Sequence, residues 1–538
     1  MADDIAADVL IIGSGISGAL MAARLAAAGV KVAVLEAGAR VDRGAAVQRY
    51  WNALIKVPEC PYPPTLEAMH PISNDPDFWY KQIGPDKFKS TYIKVFGGTT
   101  WHWLGTCLRF LPNDFILNAT YGQGVDWPIS YADLEEFYGE ADKEIGVSGD
   151  SNEPLGAPRQ LPYPMPAIPQ TYLDKVYAKA LEGSLYEVRP TPQARNSVEN
   201  GRPGCCGNAS CIPICPIQAK YDATVHLALA ESKGAAIHEK ATATFLEVRA
   251  DRRIGAVRFK RWDGSEGRAV GKVVVIAAHA IETPRLLLNS KSEATPNGVA
   301  NSCDQLGRNL MDHPAQLSWA LAVDPVWPFR GPLSTSGIEN LRDGTFRSAR
   351  AAFRVEIGND GWSWPTGAPV STARDLALEG LRGPALDHEL ARQTSRQLRL
   401  TSLTEQLPDP HNRVTLDPDA KDIYGVPVPR IAYSLDAYVK RGLAASQAVH
   451  DDIFARLGTT AVHHSPVAYG AGHIIGTARM GSDPRTSVVD SELRSHDHPN
   501  LFLLGSSVFP TSATANPTLT IAALSLRAVE AVTRTLQR

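Results

Sequence analysis

Uninterrupted apolar runs, rather than strict alternation, open this chain. Val9-Leu10-Ile11-Ile12 contains no polar residue, the mark of a strand buried on both faces. The alanine-rich stretch 19–28 reads as a helix, and the apolar run 32–35 as a second strand ending at Glu36. Runs at 245–248, 272–278 (KVVVIAA) and 501–504 (LFLL) read as further buried strands or their exits. Pro517 opens a final helix that continues to about residue 536. From about 315 to 465 the texture changes. Alternating segments such as VPRIAYSL and VHHSPVAYG there predict strands of a second, sheet-based domain. A stretch rich in proline and aromatic residues, from about 58 to 80, predicts an irregular excursion across a surface. The pattern therefore predicts α/β with α+β character: a Rossmann-like β–α–β domain drawn from both ends of the chain, around a sheet-based domain.

Composition narrows the partners. The 538 residues allow two or more domains with a well-buried core, and 44% hydrophobic with 21% charged residues is ordinary for a globular protein. The net charge of −3, without a basic stripe, argues against nucleic acid as a partner. The opening MADDIAADVLIIGSG has acidic residues where a signal peptide needs basic ones, so no export signal is expected on this chain. No apolar stretch reaches the roughly 18 residues of a membrane span. Export and membrane attachment would then come from another subunit.

The candidate chemistry begins at Gly13-Ser14-Gly15-Ile16-Ser17-Gly18, a GxGxxG between a strand and a helix. Gly13 permits the turn, Gly15 lets a pyrophosphate approach a helix N-terminus, and Gly18 lets helix and strand pack closely. Glu36 ends the second strand, placed to accept hydrogen bonds from a ribose. These residues suit FAD and NAD alike. The motif's place at the start of the chain and the Glu36-Ala37-Gly38 turn are flavoprotein habits.

Two further stretches stand out. In Gly97-Gly98-Thr99-Thr100-Trp101-His102-Trp103, paired glycines let backbone lie against a flat ring. In CCGNASCIPICP, Cys205, Cys206, Cys211 and Cys215 lie close together, and Gly204, Gly207, Pro213 and Pro216 exclude a regular element. Such a loop can hold an iron–sulfur cluster, zinc, or one or two disulfides, and the proline after the last cysteine is a ferredoxin-like detail. Cys60, Cys107 and Cys303 are scattered and read as buried apolar residues.

GSGISG with Glu36, GGTTWHW, HAIETPRLLLNS, GRNLMDHP and NPTLTIAALSLRA occur in this order from one end of the chain to the other. Together they resemble the glucose–methanol–choline (GMC) oxidoreductase family. With CCGNASCIPICP and HPNLFLLGSS, the chain looks more specifically like the large subunits of bacterial membrane-linked glucose, fructose, sorbitol and gluconate dehydrogenases. The resemblance implies an FAD-binding domain from 1–50, 85–110, 220–314 and 466–538. It also implies a partly irregular region 111–219 holding the cysteine loop 204–216, and a substrate domain 315–465. It matches Gly13, Gly15, Gly18 and Glu36 to the ADP part of FAD. Gly97, Gly98 and Thr99 match the stretch along the flavin, and Pro517 and Thr518 the start of the last helix beside it. His102 falls where similar oxidoreductases attach FAD covalently, although a histidine beside a flavin can also be non-bonded. In the subgroup the loop holds a 3Fe–4S cluster on three cysteines, here Cys205, Cys211 and Cys215, with Cys206 as the alternative to Cys205. Adjacent cysteines diverge in an extended backbone.

His473, in AGHIIGTARMG, matches the family's catalytic histidine, and Asn516 its His-or-Asn partner; Asn516 also stands where a helix N-cap belongs. The implied reaction is oxidation of a sugar or polyol hydroxyl, with hydride passing to the flavin and the proton to His473. Electrons would leave through the cluster to a multihaem cytochrome c subunit. A small chaperone-like subunit would carry the export signal, making the assembly periplasmic and membrane-associated only indirectly. The alternative is a GMC-type oxidase using oxygen, with a structural cysteine loop. His463 and His464 read as structural. Arg479 is a candidate for binding either a substrate carboxylate or backbone.

Overall fold

The structure is a computed structural model and describes residues 3–537, apart from 55, 74, 76, 154 and 365. Its first sheet is built around the strand Asp3–Ile12, which begins earlier than the apolar run alone indicates. Val32–Leu35 lies parallel on one side of it and Glu266–Ile276 parallel on the other; Ala236–His238 extends the sheet beyond Val32–Leu35. The register places Ile12 opposite both Leu35 and Ile276, so three strands end together. Gly13, Glu36 and Ala277 therefore gather at one carboxyl-end edge, the place where open parallel sheets bind ligands. The long strand Glu266–Ile276 serves two partners. Its first half pairs antiparallel with Ile254–Arg261, itself paired with Ala241–Val248, and its second half pairs parallel with Leu501–Leu503. The two ends of the chain thus meet in one sheet.

Helices Ile16–Ala27 and Thr518–Leu536 pack against each other beside this sheet, and Ala132–Ile145 packs on the latter. Ala residues at 19, 22, 23, 522, 523 and 528 are buried at these helices, allowing close approach.

The second sheet is antiparallel in its order Thr460–His464, Pro314–Leu321, Gln397–Thr404, Phe353–Gly358, Ser336–Ile338 and Val188–Pro190, with Tyr469–Gly470 also on Pro314–Leu321. Strand alternation separates its faces. Phe353, Val355, Ile357, Leu398 and Leu400 pack with Ile453 and Phe454 of the helix Ala437–Arg456. Arg354, Glu356, Arg399, Thr401 and Leu403 point to the other side. The segment VPRIAYSL differs from expectation. Its strand Pro427–Ala432 joins Arg413–Lys421 and Lys81–Gln82 in a separate three-stranded sheet, because its partner lies just before it in sequence. Among the described residues no helix is long and apolar enough to cross a membrane.

Candidate active site

A cavity of about 880 Å³ begins at Gly13 and the edge of the parallel sheet, passes Gly98, Thr99 and His102, and ends among His473, Asn516 and the front of the antiparallel sheet. At its first end the glycines act by three separate mechanisms. Gly13 has φ +101°, and a Cβ there would lie 2.5 Å from the Ala277 carbonyl oxygen. A Cβ on Gly18 would come within 2.0 Å of the Gly13 carbonyl, so helix and turn need the missing side chain to pack. Gly15 faces open space and starts the helix Ile16–Ala27 without a side-chain cap, leaving its first N–H groups free for an anion. Glu36 is buried and accepts from Ser14 N (2.9 Å), Ser14 Oγ (2.6 Å) and Gly38 N (2.7 Å). Burial pushes its carboxyl up, while these hydrogen bonds pull it back.

The next turn is tied to the first. Gly97, with φ +94°, donates its N–H to Ser14 Oγ at 2.9 Å, and Thr100 Oγ1 donates to Gly97 O at 2.8 Å. His102 follows, buried, with no partner for Nε2. Desolvation holds its pKa down to about 3, with the Lys220 ammonium pushing the same way, so the ring is neutral. An orphaned imidazole nitrogen in the wall of a large cavity, beside backbone that can lie flat, fits the edge of a flavin. The open Gly15 and the acceptor Glu36 fit its ADP half.

The far end has a defined hydrogen-bond direction. His313 Nε2 lies 3.1 Å from Ser512 O and 2.9 Å from Ala513 O; carbonyls only accept, so Nε2 carries the proton. His313 burial lowers its pKa to about 4, so Nδ1 is a bare acceptor at neutral pH. His473 Nδ1, 2.8 Å away, must then donate. That leaves the lone pair of His473 on Nε2, where Asn516 Nδ2 donates to it at 3.2 Å. Asn516 is oriented in turn by Arg354 Nη1, which donates to its Oδ1 at 3.1 Å. Asp312 holds the two histidine segments together, accepting from His313 N (2.6 Å), His473 N (3.0 Å) and Ser90 Oγ. The result is a neutral histidine with its acceptor nitrogen facing the cavity. Burial, His313 and Arg354 all push its pKa well below the usual range.

Asn516 is not the cap of the last helix. Pro517 occupies that position without a side-chain cap bond, and the Asn516 amide turns away to His473 and Arg354. Pro517 and Thr518 line the cavity, so the uncapped start of Thr518–Leu536 faces it. Arg479 donates to the Thr486 carbonyl at 3.1 Å, outside the cavity lining, which removes it as a carboxylate ligand there. His464 bonds Ser318 Oγ and pairs with Asp451, and His463 meets the Trp362 ring edge-on.

All seven thiols of the chain are free, the four of the cysteine loop among them. Cys205, Cys206, Cys211 and Cys215 line one small void with Arg195 and Lys220. Cys211 is buried and Cys206 exposed. Gly207 N donates to Cys205 Sγ at 3.4 Å, and Lys220 N to Cys215 Sγ at 3.5 Å. Arg195 Nη1 is buried there without a partner. Two backbone donors and a spare guanidinium hydrogen suit anionic sulfur. Among the described residues no three His, Cys, Asp or Glu side chains converge on one metal ion. Cluster thiolates each bind a different iron and need not converge. The side chain of Lys220 reaches the other way, donating to Trp101 O (2.9 Å) and to Trp103 O, on either side of His102.

His313, Arg354, Arg195 and Lys220 were not legible as site residues. His313 stands in GRNLMDHP, a visible signal; the other three are single cations whose surroundings come from distant segments.

A dinucleotide fold opening onto a buried histidine–asparagine pair defines an oxidoreductase, and the sequence comparisons agree. Two models described as GMC oxidoreductase match residues 8–315 and 408–525, and the chain belongs to that family of FAD-dependent enzymes. It is 41% identical over 551 residues to the fructose dehydrogenase large subunit of Gluconobacter japonicus, covering 100% of this chain and 99% of that protein. It is 30% identical to paromamine 6'-oxidase of Streptomyces fradiae, over 98% of this chain and 92% of that one. The fold is shared with pyridoxine 4-oxidase from Mesorbium loti (TM-score 0.63, 18% identity, 98% and 99% coverage).

Proposed function

We propose that this chain is the catalytic subunit of an FAD-dependent sugar or polyol dehydrogenase whose electrons leave through a 3Fe–4S cluster. The observation that carries the reading is the pairing of a base-competent His473 Nε2 with a thiol-lined void joined to the His102 stretch by Lys220. FAD, when bound, supplies the hydride acceptor. Gly13, Gly15, Gly18 and Glu36 would hold its ADP half, and Gly97, Gly98, Thr99 and His102 would lie along the ring system. His473 Nε2 takes the hydroxyl proton of the substrate once the Asn516 Nδ2 hydrogen that it accepts turns to the hydroxyl oxygen, and His313 confines the other imidazole proton to Nδ1. Asn516 Nδ2, held by Arg354, donates to the same hydroxyl oxygen. The uncapped start of Thr518–Leu536 adds positive potential at the cavity. Cys205, Cys211 and Cys215 would hold the cluster, which supplies one-electron carriage.

The likeness to a protein named a large subunit supports partner subunits. We assign the cytochrome c and the small chaperone-like subunit to that role, in a periplasmic assembly held at the membrane through a partner. One experiment tests the whole reading: anaerobic addition of fructose, sorbitol, glucose and gluconate, followed by visible and EPR spectra. Bleaching of the flavin together with a change in a 3Fe–4S signal is expected. Peroxide formation in air, with no iron or acid-labile sulfide, would make the protein an oxidase with a structural cysteine loop.

A further inference from the structure

The substrate end of the cavity contains a charged group that the mechanism above does not use. On Phe353–Gly358 the residues facing the cavity side are Arg354, Glu356 and Gly358, directly opposite Leu403, Thr401 and Arg399. Arg354 is committed: it pairs with Glu339 at 2.9 Å and donates to Asn516. Arg399 is committed as well, donating Nε to Asp360 Oδ1 at 2.7 Å and Nη1 to Thr401 Oγ1. Its guanidinium lies across Gly358, where a Cβ would come within 2.4 Å of Nη2.

Glu356 is different. It is 8% exposed, lines the cavity, and among the described residues its carboxylate accepts no hydrogen bond; its nearest partner is Arg354 Nη1 at 3.6 Å. It is therefore one guanidinium away from Asn516, with acceptor capacity left over. Arg342, Arg354 and Arg399 face the three carboxylates Glu339, Glu356 and Asp360, one cation for each anion, so no cation of this group is left for an incoming anion. Lys89, which also lines the cavity, sits over the Tyr469 ring at 5.0 Å.

We propose that Glu356, backed by Asp360 and Arg399, reads the hydroxyls of the substrate and selects neutral polyhydroxyl compounds, sugars and sugar alcohols, over sugar acids. The inference rests on the dehydrogenase reading above. A carboxylate with free lone pairs accepts two hydroxyls of a diol in charge-assisted hydrogen bonds. Burial already raises the Glu356 carboxyl against the pull of Arg354 and Arg399, and a substrate carboxylate placed beside it would add a further negative charge in a water-poor site with no unpaired guanidinium to compensate.

The test uses the FAD-loaded protein under anaerobic conditions, with fructose and sorbitol against gluconate, and reads both flavin bleaching and the shift in melting temperature on adding each ligand. At least one neutral polyol should bleach the flavin and raise the melting temperature, with gluconate at least tenfold weaker in kcat/KM. Glu356→Gln should raise KM for the neutral substrate tenfold or more while kcat changes less. Asp360→Asn, which frees Arg399, should narrow the preference against gluconate tenfold. Gluconate reduction equal to that of the polyols, or an unchanged KM in Glu356→Gln, overturns the proposal. So does a gluconate preference that disappears in Lys89→Met, which would put a carboxylate site at the rim. If no sugar, polyol or sugar acid reduces the flavin, the dehydrogenase reading itself fails. The two failures are thus distinct.

Discussion

As the proposed base, His473 owes its competence to a neighbour. His313 donates Nε2–H to two carbonyls, so its Nδ1 can only accept, and the proton of His473 is confined to Nδ1. His473→Ala should lower the rate of flavin reduction by about 10²–10⁴, the usual span for a general base, while bound FAD is retained. His313→Phe removes the acceptor and frees the tautomer; a loss in flavin-reduction rate with little change in substrate KM is expected, measured by stopped-flow. The pH profile follows from the same geometry. Because the pKa of His473 lies well below 6.5, the base stays unprotonated as pH falls from 8 to 6.5. The rate of flavin reduction should be flat over that range. Asp312, raised to about 6 by burial, titrates just below it and holds both histidine segments. A step centred near pH 7 that vanishes on replacing His473 would overturn this assignment.

At the scale of elements, the first turn and the antiparallel sheet make separate demands. Gly18→Ala would drive a Cβ into the Gly13 carbonyl, so the strand–helix unit must open; loss of FAD on gel filtration together with a lower melting temperature is expected. The helix Ala437–Arg456 is fastened to its sheet by His450, whose Nδ1 meets Ser318 Oγ and whose Nε2 meets Ser402 Oγ, both at 2.8 Å. Burial lowers the His450 pKa to about 3. Below pH 6.5 the unfolded chain therefore takes up a proton that the folded chain refuses, and this contribution to stability falls as pH drops from 6.5 toward 3. His450→Leu should cost about 1–3 kcal/mol at pH 7 through the hydroxyl groups left unpaired. At pH 5 the gap to the wild type should narrow by about 2 kcal/mol, at 1.36 kcal/mol per pH unit. Urea unfolding at the two pH values measures it, and a constant gap would mean that His450 is not neutral in the folded state. The short apolar strands were readable because burial on both faces leaves an uninterrupted pattern. The pairing of Pro427–Ala432 was not, since alternation marks a half-buried strand but does not name its sheet.

Over the whole molecule, one cavity joins residues from the first turn, the 97–106 stretch and the last helix to the sheet of the middle segment. Local sequence determined what each piece is: GxGxxG between strand and helix, paired glycines before His102, a thiol-rich loop that no regular element can hold, and His473 in its own motif. These signals are legible because each depends on neighbours within a few residues, through turn geometry, helix ends and side-chain period. Tertiary structure alone decided how the pieces act on one another. It put His313 against His473 across 160 positions and turned Asn516 from a helix cap into a partner held by Arg354. It also joined the cysteine loop to His102 through Lys220, and left Glu356 as the free acceptor of a charged cluster. Proton positions and charge balance in a buried site are set by whichever groups share the same few ångströms, and strands far apart in the chain supply them.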